Sequence, residues 1–507
     1  TFWKVLYKRH TNFAMEAFRV NFTGAPQYGQ RVVAVINRNA DLMYKTYLEV
    51  QLPDTVTAAD GSGVKWTGAY ERRLGYQLLK KIEVEIGGQI IDTHYGEWLF
   101  LWENLTSNFD NSVKLDSMTG GYLGGTETSA VSCGGRPAVL YIPLQFWFCR
   151  NPGLALPLIA LQYHEVRINV TLNPATDLVS GTPGTAGSVS TAASKLPQLK
   201  DMSLYVDYVY LDVDERRRFA QQSHEYLIDQ LQFGLQQTLT TSSARIDLTL
   251  NHPVKELVWV FQDARKTDCG SELTRNLGFT QPFSYDDIVN RARLQINGQD
   301  RFDERYGDYF WKVQPYQHHS GGAFWPIRAQ VTAAAAATVT YVNCSVVGDI
   351  LTVGTFSAGT NGGSSTTPIA EGSLVTTSGG TTFAPGTIIS SFGTGNGRGG
   401  TYQLSEPAIA DNAALDLSVI FIIPNINYAP HTNAINMYSF ALQPEEHQPS
   451  GTCNFSRIDT TTLVFDSVTS SGVAKPTKST PFNFRMYAVN YNIFRVMSGM
   501  GGLAYSN

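Results

Sequence analysis

What this chain lacks narrows it first. It has no CxxC pair and no His/Cys spacing of the zinc or redox kind. Its five cysteines (Cys133, Cys149, Cys269, Cys344 and Cys453) are odd in number and far apart, so they read as reduced thiols and not as a disulfide framework. Charged residues make up only 16 %, with a net charge of −5. A protein that coats nucleic acid carries a basic excess or a clustered basic stripe, so no direct nucleic-acid contact is expected. Long apolar runs are also missing. The most apolar region, Leu140 to Leu161, is broken by Arg150, Asn151 and three prolines, which excludes a membrane span there. The opening TFWKVLYKRH is too short and too charged to read as a signal peptide. Helical periodicity is scarce, with candidates only at GEWLFLWENL (Gly96 to Leu105) and ERRRFAQQSHEYLIDQLQ (Glu215 to Gln232).

What is present is strand and turn material. Aromatics reach 12 % and glycine 45 residues, the usage of a strand-rich chain with many tight turns. Alternation with period two marks strands buried on one face. In KIEVEI, Ile82, Val84 and Ile86 oppose Lys81, Glu83 and Glu85; in EVRINVTL, Val166, Ile168, Val170 and Leu172 oppose Glu165, Arg167, Asn169 and Thr171. RIDLTL (Ile246, Leu248, Leu250) and RLQI (Leu294, Ile296) repeat the scheme.

The chain also writes one passage twice. GGQIIDTHYGEW (Gly87 to Trp98) returns as NGQDRFDERYGDYF (Asn297 to Phe310), with Gly88–Gln89 matching Gly298–Gln299 and Tyr95–Gly96 matching Tyr306–Gly307. Upstream, KTYLEVQL ending at Leu52 matches VKELVWVF ending at Phe261; downstream, VDYVYL from Val206 matches VNYNIF from Val489 at a longer offset. A duplicated unit of about 200 residues with an insertion in the second copy accounts for this, and so long a period means each copy is a domain. The expected architecture is all-β: two tandem eight-stranded antiparallel jelly-roll sandwiches. Residues 1–218 would hold an N-terminal arm and the first, and residues 219–507 the second. Residues 330–418, rich in Ala, Gly, Ser and Thr, would form a small β-rich module inserted in the second.

No chemistry stands out. GTGNGRGG (Gly393 to Gly400) lacks the Gly-Lys-Ser/Thr ending of a phosphate loop. His318–His319 has no third ligand at helical spacing and reads as a solvated loop. The recurring acids Asp92/Asp303 and Glu97/Asp308 invite a paired-carboxylate reading, but the aspartates are better placed to cap the following helix. The sequons at Asn21, Asn104, Asn169, Asn343 and Asn454 read as coincidental without a secretory signal, and Arg216–Arg218, flanked by acids, as a salt-bridged connector. No catalytic, cofactor-binding or metal-binding residue is assigned.

Several long segments carry a family resemblance. YKRHTNFAMEAF (Tyr7 to Phe18), PLQFWFCRNPGLALPLIALQYHEVRI (Pro143 to Ile168), DERRRFAQQSHEYLIDQLQ (Asp214 to Gln232), RIDTTTLVFD (Arg457 to Asp466) and RVMSGMGGLAYSN (Arg495 to Asn507) resemble the major capsid proteins of nucleocytoplasmic large DNA viruses. The resemblance implies a non-enzymatic structural protein with two jelly rolls per chain. It further implies homotrimeric, pseudo-hexagonal capsomers in an icosahedral virion shell assembled in the host cytoplasm, and no cofactor. Implied partners are further copies of the chain, neighbouring capsomers, minor capsid and penton proteins, and internal membrane proteins on the inner face, which the N-terminal segment would approach. The insert after Tyr316–Gly322 is expected to project outward as a tower. Two other classes compete: a carbohydrate-binding β-sandwich surface protein, which should show a signal peptide and disulfides, and an adhesin, which should show shorter periods.

Overall fold

The twice-written passage is a hairpin followed by a helix start. In the computed structural model, Ile86 pairs with Gln89 across Gly87–Gly88, and Ile296 pairs with Gln299 across Asn297–Gly298. Both residues of each turn have positive φ, 59° and 85° in the first and 50° and 77° in the second. A two-residue turn that matches strand twist needs that left-handed pair, which Gly and Asn adopt most readily. The repeated Tyr-Gly has a different cause. A Cβ on Gly96 would lie 2.0 Å from the Tyr76 carbonyl oxygen, and one on Gly307 would lie 2.1 Å from that of Val289. The helix start sits directly on backbone in both copies, and only glycine fits.

The structure describes residues 3–6, 10–52, 58–59, 65–66, 69–70, 73–120, 132–133, 136–137, 139–174, 177–180, 198–264, 283, 285–321, 338–353, 374–377, 387, 389–392, 394, 400–404, 408–409, 412–420, 434–467, 476–477 and 481–505. The Ala333–Ala337 run, most of the Gly393–Gly400 loop and Cys269 lie outside them.

In the first sandwich the strands are β1 (Phe13–Thr23), β2 (Arg31–Val35), β3 (Leu42–Gln51), β4 (Leu79–Ile86) and β5 (Gln89–His94). Helix α1 (Gly96–Thr106) follows, then β6 (Val139–Pro143), β7 (Val166–Leu172) and β8 (Asp201–Leu211). They pair in the order β6-β3-β8-β1-β2-β7-β4-β5. β1 serves both faces: Phe13 to Asn21 pair with β8, and Phe22 and Thr23 turn to β2. The alternation in KIEVEI and EVRINVTL is realised, with Ile82, Val84, Ile86, Ile168 and Val170 fully buried.

Helix α2 (Val213–Gln221) connects the two sandwiches. The segment from Glu215 to Gln232 is thus only half helical. From His224 it becomes β9 (His224–Leu239), paired along its length with the later strand Phe482–Met497, and Ile228 is buried against the first sandwich; strand pairing wins over the charged helical lead-in. The arginine triplet does carry ion pairs, Arg216 to Asp41 at 2.9 Å and Arg218 to Glu215 at 3.6 Å. The second sandwich adds β10 (Ser243–Asp247), β11 (Pro253–Asp263), β12 (Val289–Ile296), α3 (Gln314–His318), β13 (Asn436–Ser439), β14 (Thr461–Ser467), β15 (Phe482–Met497) and β16 (Met500–Leu503). Its two sheets run β9-β15-β11-β13 and β10-β14-β12, enclosing Leu257, Trp259, Phe261, Leu463, Phe465, Phe484 and Met486.

Residues 1–323 and 431–507 form one compact unit, and Phe324–Pro430 a second. The second unit holds a six-stranded antiparallel sheet that includes Thr338–Val347, Ile350–Val353, Gly400–Leu404 and Asn412–Ile420. Leu351, Val353, Tyr402 and Leu404 are buried within it.

Candidate functional site at the seam between the two sandwiches

The sheet of the second sandwich that holds β9, β15 and β11 buries both faces. Met486 and Ala488 point into its own core, whereas Tyr487 and Val489, with Val258 and Val260 of β11, join the core of the first sandwich. Period two supplies both faces only because each position is apolar or finds a partner. The seam is therefore continuous hydrophobic interior. Trp98 of α1 packs 5.5 Å from the Tyr487 ring, Tyr95 packs 5.2 Å from Phe233, and Phe100 stacks on Phe283 at 4.7 Å.

Charges are threaded through it. Glu97, in the first turn of α1, accepts hydrogen bonds from Arg485 Nε and Nη2 at 2.9 and 2.6 Å, from the Tyr285 hydroxyl at 3.0 Å and from the Tyr487 hydroxyl. Burial and the Glu97 carboxylate together push both phenols well above their ordinary range. Burial opposes the Arg485 charge, but Glu97 outweighs it and holds the guanidinium protonated. Such a pair contributes little net when complete and costs several kcal/mol when one partner is removed.

A second cluster lies on the same seam. Asp92 accepts from the Leu231 backbone N–H at 3.1 Å and sits 3.1 Å from His94 Nε2. Fully buried Lys255 donates to Asp229 at 3.1 Å. Arg150 lies 3.8 Å from the same carboxylate and 4.1 Å over the Trp102 ring. His319 is held between Glu256 at 2.8 Å and Glu445 at 2.9 Å. Burial alone would depress its pKa; the two carboxylates reverse that and raise it to about 9.

These positions correct two expectations. Asp92 does not cap α1, whose first turn has no side-chain cap; it reaches across the seam instead, and its counterpart Asp303 stands exposed. Of the two histidines read as a solvated loop, His318 is partly exposed, but His319 is buried and ion-paired, because the chain passes under Trp102 before Gly321 donates to the Leu105 carbonyl at 2.9 Å. Neither residue had a local pattern to betray it. Asn104 and Asn169 are buried and donate to Phe100 O and Glu85, so two sequons face inward. Cys149 is buried, its thiol pushed up to about 11 by burial. Among the described residues no group of three His, Cys, Asp or Glu side chains could hold a metal ion.

The closing strands complete the seam. The β15–β16 hairpin turns at Ser498–Gly499 and lies on the first sandwich. There Tyr163 donates to the Gly499 carbonyl at 2.9 Å and His164 Nδ1 is 3.0 Å from the Gly501 carbonyl oxygen.

Two jelly rolls fused through one buried sheet face define a double jelly-roll protein. Residues 1–212 match the family described as "Major capsid protein N-terminus", and residues 215–324 and 424–502 match "Large eukaryotic DNA virus major capsid protein". The whole chain is 39 % identical to the major capsid protein of Pyramimonas orientalis virus, covering 94 % of that protein, and 32 % identical to that of Paramecium bursaria Chlorella virus 1, again covering 94 %. Among solved structures, the PBCV-1 virus capsid superposes over all of both chains with a TM-score of 0.64 at 30 % identity. The Faustovirus major capsid protein, at 11 % identity, matches 98 % of this chain and 93 % of its own with a TM-score of 0.61, and shares the fold. The chain belongs to the major capsid proteins of the large eukaryotic DNA viruses, structural components of the virion shell.

Proposed function

We propose that three copies of this chain close into a ring of six alternating sandwiches, a pseudo-hexagonal capsomer, and that such capsomers tile an icosahedral shell assembled in the host cytoplasm. The seam carries this reading. A chain whose two similar sandwiches are locked by buried contacts offers two near-equal sides, and threefold closure turns two sides into six. The working division is residues 1–218 and 219–507, with 330–418 inserted in the second. The task is shape and contact; no catalytic step belongs to it. The exposed side chains of Trp3, Val5 and Leu6 favour an N-terminal contact with minor capsid, penton or membrane proteins, since apolar groups in water call for a partner.

Sedimentation with negative-stain imaging of the purified chain tests the reading. A particle of three times 55.8 kDa with a six-sided outline is expected. A monomer that binds sugar would overturn it in favour of a lectin.

A further inference from the structure

The opening of the chain is opposite in sign to the rest. Its first fifteen residues carry Lys4, Lys8 and Arg9 and no acid, Glu16 being the first carboxylate, whereas the whole chain stands at −5. The same stretch is where apolar side chains reach furthest into water. Trp3, Val5 and Leu6 are 93 %, 93 % and 82 % exposed, more than any other described aliphatic or tryptophan side chain. With Lys4 between them they form one short run, which lies in no helix or strand. Exposed apolar side chains resume at Phe13 and Met15, on the end of β1 that pairs with Leu211 and Val209 of β8, and the His10 ring meets Phe13 edge-on at 6.4 Å. Single exposed apolar residues are ordinary in soluble proteins; a run of them calls for a cover.

The chemistry of the run says which cover. A groove in a protein reads a peptide by the fixed spacing of anchors along a strand or helix, and Trp3–Leu6 form neither. A bilayer interface asks for composition instead. Tryptophan settles at headgroup level, aliphatic side chains enter the acyl boundary, and a lysine lays its stem along the apolar part while its ammonium reaches the phosphates. Basic residues near an anionic leaflet add an attraction that salt screens. Here no acid within the first fifteen residues opposes it, and the acidic remainder of the chain would be repelled, so contact falls to this segment.

We propose that Trp3–Leu6 dock this protein on an anionic lipid bilayer, with the lipid itself as partner. The docking does not depend on the trimer reading, which adds only strength. Threefold closure would set three such segments at one height along the axis, and linked weak contacts multiply.

Flotation of the full chain with vesicles of phosphatidylcholine, alone or with about 30 % phosphatidylserine, tests it. Binding at least about tenfold tighter to the anionic vesicles is expected, falling as salt is raised. The triple variant Trp3→Ser, Val5→Ser, Leu6→Ser should lose at least about tenfold, and Lys4→Glu about threefold. All four side chains are exposed, so each variant keeps the wild-type thermal transition. Wild type that leaves both kinds of vesicle bare, or a triple variant that floats as well as wild type, overturns the lipid assignment in favour of a protein partner. Equal binding to neutral and anionic vesicles overturns it as well. Sedimentation of the same samples separates this from assembly: a chain that floats yet stays monomeric upholds the docking segment and overturns the trimer, and a trimer that does not float does the reverse.

Discussion

Glu97 and Arg485 are 388 residues apart in sequence and 2.6 Å apart in the fold. This buried pair, with Tyr285 and Tyr487 on the same carboxylate, joins the helix of one sandwich to the closing strand of the other. Truncation to Glu97→Ala strands the guanidinium and two phenols in the interior. The expected cost is about 3–5 kcal/mol, read as a lowered urea midpoint; Glu97→Gln, which keeps an acceptor, should cost less. An unchanged midpoint for E97A would remove the seam from the account of stability.

Trp98 is fully buried beside Trp102 and Tyr487. Trp98→Ala should destabilise by about 3–5 kcal/mol through lost burial and a residual cavity. Calorimetry of the purified chain would report it as a drop in melting temperature.

The glycines of the repeat should separate by mechanism. Gly307→Ala drives a methyl into the Val289 carbonyl and should cost at least the roughly 1–3 kcal/mol of overpacking, seen as loss of soluble yield. Gly88→Ala meets nothing within 4 Å but keeps φ at +85°, so only backbone strain of about 1–2 kcal/mol is expected. Equal effects in a denaturation series would contradict the close-approach explanation.

His319 predicts alkaline sensitivity. Its folded pKa of about 9 lies above the ordinary 6.5, so the stabilisation is complete below pH 6.5 and fades as pH rises through 9. The linked contribution is on the order of 3 kcal/mol. Glu445, held below its ordinary value despite burial by His319 and Ser320, acts in the opposite direction and loses its contribution as pH falls. Melting temperatures of wild type and His319→Gln between pH 6 and 10 should converge at the alkaline end; parallel curves would exclude the ion-paired imidazolium.

The segment Phe324–Pro430 forms a compact unit with its own buried residues. Replacing it with a short Gly/Ser link should leave the main thermal transition within about 1 kcal/mol, since longer loops cost little closure entropy. A chain that fails to fold without the segment would refute its independence.

The fold was legible because its signals are local. The alternation in KIEVEI, the Gly-Gln turns and the Tyr-Gly repeat each follow from a constraint within a few residues. The stretch from His224 was misread because charged residues ahead of it imitate a helix, and only contact with the first sandwich reveals its strand. The seam charges were illegible for the same reason. Asp92 finds the Leu231 amide 139 residues away, and His319 finds Glu256 and Glu445 from opposite directions in the chain. Nothing nearby distinguishes either from a surface residue.

The β15–β16 hairpin, resting on Tyr163 and His164, has a bearing on biosynthesis. Domains fold in order as they leave the ribosome, yet here the earlier sandwich donates the Tyr163 backbone N–H to Gly499 and sets the His164 ring against Gly501, residues translated some 330 positions later. A nascent product that has not yet reached Gly499 would keep that loop bare, so the first sandwich is covered there only once the closing strands of the second have been made.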